Sequence, residues 1–159
     1  MTPEYLRKLL AYDATTGVFT WRVGRARTRH GTVAGTLEHD GYRRIRIDRR
    51  AYHSHRLAWF YVHGKWPKDQ IDHINGNRDD NCIANLREAS RSQNLANARH
   101  HRRSKAPYKG ITLLRGKWVA QISIYGRKRY LGYFDTPEAA HTAYCKAAQD
   151  GYGSFWRSA

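Results

Sequence analysis

The segment Gln70–Asn94, QIDHINGNRDDNCIANLREASRSQN, most constrains the fold, because its punctuation admits one order of elements. QIDHI reads as a short strand. NGNRDDNCIAN is built of turn formers, in which Asn and Gly tolerate positive φ, and reads as a loop. LREAS reads as the end of a second strand, and Ser90 is placed to cap a helix that begins RSQNLANARHH. The expected order is strand, loop, strand, helix. Five asparagines, four acidic residues and a single histidine, His73, lie within this segment, while the chain around it is crowded with arginine.

That contrast brings in composition. A chain of 159 residues makes one domain or two small ones, each with a limited core. Lys and Arg number 29 against 13 Asp and Glu, a formal charge of +16. Self-repulsion of that size calls for a polyanionic partner, nucleic acid first and an anionic membrane surface second. The membrane is disfavoured because no apolar run approaches the ~20 residues of a spanning helix. The start, MTPEYLRKLLAYD, has no signal-peptide pattern. Two cysteines, Cys82 and Cys145, make neither a disulfide framework nor a four-ligand zinc site, so a reduced, cytoplasmic setting is expected.

Residues 1–53 read as a β-rich part after an initial helical segment. A Thr-Gly turn precedes an aromatic strand, Val18 to Trp21, and GYRRIRIDRRAYHSHRLAW alternates as a half-buried strand through Tyr42, Ile45 and Ile47. The period then changes. Leu57, Ala58, Phe60, Tyr61 and Val62 form one broad helical face, ended by Gly64 and Pro67. RHHRRSKAP, closing a 54–98 core, reads as a basic linker over 99–107. Beyond it, KWVAQISIY turns Trp118, Ala120, Ile122 and Ile124 one way and Lys117, Val119, Gln121 and Ser123 the other. RYLGYF returns as a strand. Thr136 at the N-cap and Pro137 at the first position open a helix with a small-residue stripe, Ala140, Ala143, Tyr144, Ala147 and Ala148.

The polar segment carries the candidate chemistry. Asp72 and Asn94 are oxygen donors suited to a hard divalent cation, and a neutral His73 imidazole can take a proton from water attacking a phosphodiester. Residue types alone also permit the plain alternative, an ordinary turn cluster with a structural histidine.

IDHINGNRDDNCIANLREASRSQN resembles the core of the HNH endonucleases, in their phage and intron-associated branch. The resemblance implies a ββα-metal finger in an α+β fold, with His73 as general base, Asp72 and Asn94 as metal ligands, and Asn85 bracing the loop. HSHRLAWFYVHGKWP also resembles this branch at His55 and Arg56. Asn94 stands where the family name has its last histidine, which favours Mg²⁺ or Mn²⁺ over Zn²⁺ or Ni²⁺. His100 and His101 lie beyond the matching spacing.

YKGITLLRGKWVAQISIYGRKRYLGYFDTPEAAHTAYCKAA, within 108–159, is similar to the AP2 DNA-binding domain, a three-stranded antiparallel sheet backed by one helix. The implied outward set is Lys109, Thr112, Gln121, Ser123, Lys128 and Tyr130, with Arg115 and Arg127 at the turns. Arg43, Arg44, Arg46, Arg49 and Arg50, with Arg56, and Arg22, Arg25, Arg27 and Arg29 on a loop, are expected to hold phosphates.

Together these imply a homing endonuclease of phage type that nicks or cuts double-stranded DNA. It would need one divalent metal ion, no small-molecule cofactor and no membrane, and a monomer is slightly favoured over a dimer. Cleavage should fall below a pH of roughly 6.5, where free imidazole protonates. The rivals are a DNA-binding regulator with a non-cutting finger and an RNA-binding protein.

Overall fold

The computed structural model describes residues 1–24, 29–98 and 106–157. The fold is α+β with small antiparallel sheets, and the chain divides into two compact units, Met1–Glu88 and Ala89–Ala159. No helix among the described residues is long and apolar enough to cross a membrane.

In the first unit, α1 (Pro3–Leu9) starts where Thr2 accepts the Tyr5 N–H at 3.2 Å and Pro3 needs no donor of its own. It runs straight into β1 (Leu10–Tyr12), which pairs antiparallel with β2 (Phe19–Trp21). The turn between them holds Gly17 at φ +73°, its Cα facing the backbone of Asn81 and Cys82. A Cβ there would stand 2.2 Å from Cys82 N and 2.3 Å from Asn81 C, so no other residue fits.

The alternating stretch after Gly41 is two strands rather than one. β3 (Thr36–Leu37), β4 (Arg43–Ile47) and β5 (Arg50–His53) form a sheet in that order. The hairpin between β4 and β5 turns on Asp48 and Arg49 at φ 47° and 66°, and Ile47 pairs with Arg50. α2 (Ser54–His63) follows β5 directly and stops at Gly64, which is left-handed (φ 70°) and gives its N–H to Phe60 O at 3.0 Å. Leu57, Ala58 and Phe60 are buried in one core with Leu6, Phe19, Ile45 and Ile47. Of the rest of the expected face, Tyr61 is half-buried and Val62 is exposed. β6 (Gln70–His73) and β7 (Leu86–Ala89) form the last small sheet.

In the second unit, α3 (Arg91–Asn97) carries a capping box: Gln93 N–H donates to Ser90 Oγ at 3.3 Å and Ser90 N–H to Gln93 Oε1 at 2.8 Å. Seven residues do not make a helix that persists on its own. This one is held from outside. Ala96 is buried with Ile122, Tyr144 and Tyr152, and the Tyr152 hydroxyl bonds Ser92 Oγ at 2.6 Å and donates to Ser123 O. Lys109 Nζ donates to Leu95 O, Ala96 O and Ala98 O at 2.9, 2.7 and 2.8 Å, a charge at the negative end of the helix. Replacing Lys109 by Met keeps the stem and removes three charge-assisted bonds. Amide exchange across α3 should then accelerate about 10-fold or more, from ~1.5–3 kcal/mol of lost bonding.

Beyond Pro107, β8 (Ile111–Leu114), β9 (Lys117–Ile124) and β10 (Arg127–Phe134) form a three-stranded antiparallel sheet with β9 central. Ala120 and Ile122 are buried and Lys117, Gln121 and Ser123 exposed, in line with the alternation. α4 (Pro137–Tyr152) is capped by Thr136 and buries Ala140, Tyr144, Ala147 and Ala148. Most of the expected linker, residues 99–105, lies outside the described residues, with His100 and His101; so do Arg25 and Arg27.

Candidate active site

Strand β6 ends in Asp72 and His73, which are 3% and 4% exposed. A buried carboxylate needs a partner, and Arg87 of the neighbouring β7 supplies one. Its Nε and Nη2 reach Asp72 Oδ2 at 2.9 and 2.8 Å. His73 Nε2 lies 3.5 Å from Asn81 Oδ1, a long contact. Asn81 presents that oxygen because its amide nitrogen donates to Asp79 O at 2.9 Å. The contact places a carboxamide oxygen beside the imidazole Nε2.

The loop between the strands is ordered by its own side chains. Asn85 Oδ1 accepts the Asn75 N–H at 3.0 Å, Asn85 Nδ2 donates to Asp80 O at 2.9 Å, and Asn85 O accepts the Ile74 N–H at 2.9 Å. Three bonds from one residue tie the loop to the strand that presents His73. Asn75 and Asn77 close Asx turns, each accepting the N–H two residues on, at 2.8 and 3.2 Å. Asn81 is more than the turn residue its neighbours suggest. It is 1% exposed, faces His73, and accepts the Tyr12 hydroxyl on its carbonyl at 2.7 Å.

Three further aromatic rings surround His73, and the alternation of the sequence does not single them out. His55 lies edge-on to His73 with ring centroids 5.1 Å apart, His53 stacks on His55 at 5.1 Å, and Tyr42 is within 6.0 Å of all three. The β5–α2 junction brings His53 and His55 together, because the helix begins between them at Ser54. Among the described residues, His53 Nδ1 and His55 Nδ1 are buried without a hydrogen-bond partner. Burial and the neighbouring cations lower the pKa of all three histidines; for His55, flanked by His73, His53 and Arg56, it falls to about 3. His73 is thus neutral at neutral pH and able to accept a proton.

The sign of this effect on stability follows. Above about pH 6.5, His55 is neutral whether folded or not, and its contribution is complete. As the pH falls from there toward 3, only the unfolded chain takes up the proton, so stability is lost at up to about 1.4 kcal/mol per pH unit. Thermal midpoints measured from pH 7.5 to 5 should fall, and His55→Gln should flatten the slope.

The arginines expected to hold phosphates divide. Arg43 grips Asp79 at 2.9 and 3.0 Å, Arg44 grips Asp40 at 2.9 Å, and Arg56 donates to the carbonyls of Asp69 and Pro67. Arg46 is exposed. A cleft of about 750 Å³ on this unit is lined by Arg29, Arg44 and Arg46, with Glu38 its one acid. In the second unit Thr112, Arg115, Gln121, Ser123, Arg127, Lys128 and Tyr130 are exposed as expected. Lys109 is not: its ammonium is turned onto the end of α3, and burial brings its pKa down to about 8.

Asn94 lies half-buried on α3, in the second unit. Among the described residues no three His, Cys, Asp or Glu side chains converge as a metal cluster. The buried Asp72 carboxylate is by itself a hard oxygen donor of the kind that fits Mg²⁺, which keeps several waters and takes few protein oxygens.

A family model described as HNH endonuclease matches residues 52–96, from the last strand before α2 to the last turn of α3. The match supports an HNH nuclease domain over this segment, and with it DNA as substrate. No curated protein and no solved structure gives a significant match.

Proposed function

We propose that the chain is a DNA endonuclease of the homing type, in which a ββα-metal finger over 54–98 hydrolyses phosphodiester bonds and an AP2-like unit over 108–159 holds duplex DNA. The observation that carries the reading is the buried Asp72–His73 pair at the end of β6, above a loop braced by Asn85.

His73 takes the proton of the attacking water, and Asn81, whose Oδ1 lies 3.5 Å from Nε2, lines the other side of the ring. The water oxygen bonds to phosphorus, the P–O3′ bond breaks, and the products carry a 5′-phosphate and a 3′-hydroxyl. Asp72 and Asn94 are the residues that would hold one divalent cation, which when bound would supply charge neutralisation to the reaction. Asn85 acts through the loop. Arg87 balances the Asp72 charge, a role the sequence pattern does not mark. Arg46 and the arginine-lined cleft position the duplex through its phosphates without reading sequence. The exposed face of β8–β10, with Gln121, Ser123 and Lys128, is the recognition surface.

The test is direct. Purified protein with Mg²⁺ or Mn²⁺ should nick supercoiled duplex DNA, and chelation with EDTA should stop it. Binding without metal-dependent scission would indicate a regulator instead, and preference for structured RNA over duplex DNA an RNA-binding protein.

A further inference from the structure

Strand β10 carries an irregularity that changes what the sheet presents. Tyr130 pairs with Gln121, but the next register pair is Gly132 with Ala120, so Leu131 is an extra residue in the ladder. Without the bulge, strict alternation would put Tyr130 and Tyr133 on opposite faces, because three is an odd step. With it, Leu131 packs inward, Phe134 joins the buried side opposite Trp118, and Tyr133 turns outward opposite Val119. The two tyrosines are then neighbours on the outer face, 57% and 61% exposed, with ring centroids 5.6 Å apart and planes at 65°.

We propose that Tyr130 and Tyr133 form a stacking site for unpaired bases, so that the sheet face read above as the duplex recognition surface also takes a single-stranded DNA segment. Two exposed rings side by side offer π-faces, and the faces of paired bases within a duplex are already stacked on one another. A duplex offers edges and phosphates; an unpaired strand offers the faces. The surroundings match a polyanion carrying such bases. Residues 111–134 contain five basic side chains and no acidic one. Lys128 lies on the same outer face opposite Ser123, with exposed Arg127 beside it. Across the sheet, exposed Gln121 lies opposite Tyr130 on β9 and exposed Thr112 lies beyond Val119 on β8. The inference rests on reading this face as a nucleic-acid surface, and it does not depend on cleavage.

The experiment uses the full chain in EDTA and fluorescence anisotropy with a labelled oligonucleotide of about 16 nucleotides, as single strand and as duplex. Tyr130→Ala and Tyr133→Ala should each weaken single-strand binding by about 5- to 150-fold, the range for a lost base–aromatic stack. Tyr133→Phe keeps the ring and should bind as wild type does. An abasic strand of equal length should bind wild type more weakly than either single alanine variant binds the normal strand, because it loses both stacks. Both side chains are mostly exposed, and unchanged thermal midpoints would confirm intact folding. Losses below about twofold for the alanine variants, or a phenylalanine variant as weak as alanine, overturn the stacking site. If wild type binds neither strand nor duplex, the reading of the face as a nucleic-acid surface falls with it. Duplex binding alone, indifferent to both tyrosines, overturns only the stacking.

Discussion

Replacing His73 by alanine is expected to slow metal-dependent cleavage by about 10²- to 10⁴-fold while leaving DNA affinity close to wild type, the usual contribution of a positioned general base. The size follows from the site. His73 is 4% exposed and its ring orientation is set on one side by Asn81 Oδ1 and on the other by His55 and Tyr42. His55, the histidine in ring contact with it, cannot take over without moving α2, because it is fixed by the helix start and its own pKa of about 3 makes it a poor base. Binding should survive, because the arginine cleft and the outer sheet face do not include His73. Single-turnover cleavage and filter binding on the same preparation separate the two effects. Equal cleavage rates for His73→Ala and wild type would remove His73 from the mechanism.

Gly17→Ala is expected to destabilise the first unit by about 3–4 kcal/mol and to slow cleavage about 10²-fold, although Gly17 is remote from Asp72 and His73 in sequence. Two costs combine. At φ +73° an alanine is strained, and its Cβ would overlap backbone atoms of Asn81 and Cys82, which no rotamer change can relieve. The loop must then move, and with it Asn81, whose side chain faces His73. Gly31→Ala is the control. It shares a positive φ of +80° but has nothing among the described residues within 4 Å, so it should cost only about 1 kcal/mol and leave the rate unchanged. Urea midpoints and single-turnover rates measure both. If the two variants behave alike, the contact between the turn and the loop does not matter to the site.

Local signals were readable where one short-range interaction decides the outcome. Ser90 and Thr136 cap their helices through a hydroxyl to a nearby N–H, and Gly64 ends α2 in the one conformation glycine takes easily. The period-2 burial of β9 is of the same kind. Signals failed where the backbone took a conformation its residues do not advertise. Asp48 and Arg49 turn the β4–β5 hairpin at positive φ without a glycine, so two strands read as one. The β10 bulge shifts a register that no composition marks, and it is the bulge that turns Tyr133 to the outer face.

In the candidate site, Asp72, His73 and Asn85 were legible because the pattern of the segment carries them. Their supports were not. Arg87, Asn81, His53 and Tyr42 reach the site through strand pairing and the β5–α2 junction, which are properties of the fold. Counting arginines could not tell which ones face outward. Arg43 meets Asp79 and Lys109 meets three carbonyls, so both are held within the protein, while Arg44 meets Asp40 and still lines the cleft.

The lysine that closes α3 has a bearing on modular exchange. The family match ends at residue 96, and the basic stretch after it is an obvious seam at which to exchange the C-terminal unit. The helix that carries Asn94 is fastened by Lys109 and Tyr152, which lie beyond that seam. A chimera cut at the seam would inherit Asn94 without its fastening. A replacement module would have to bring its own cation to the end of α3, or the junction would have to be chosen elsewhere.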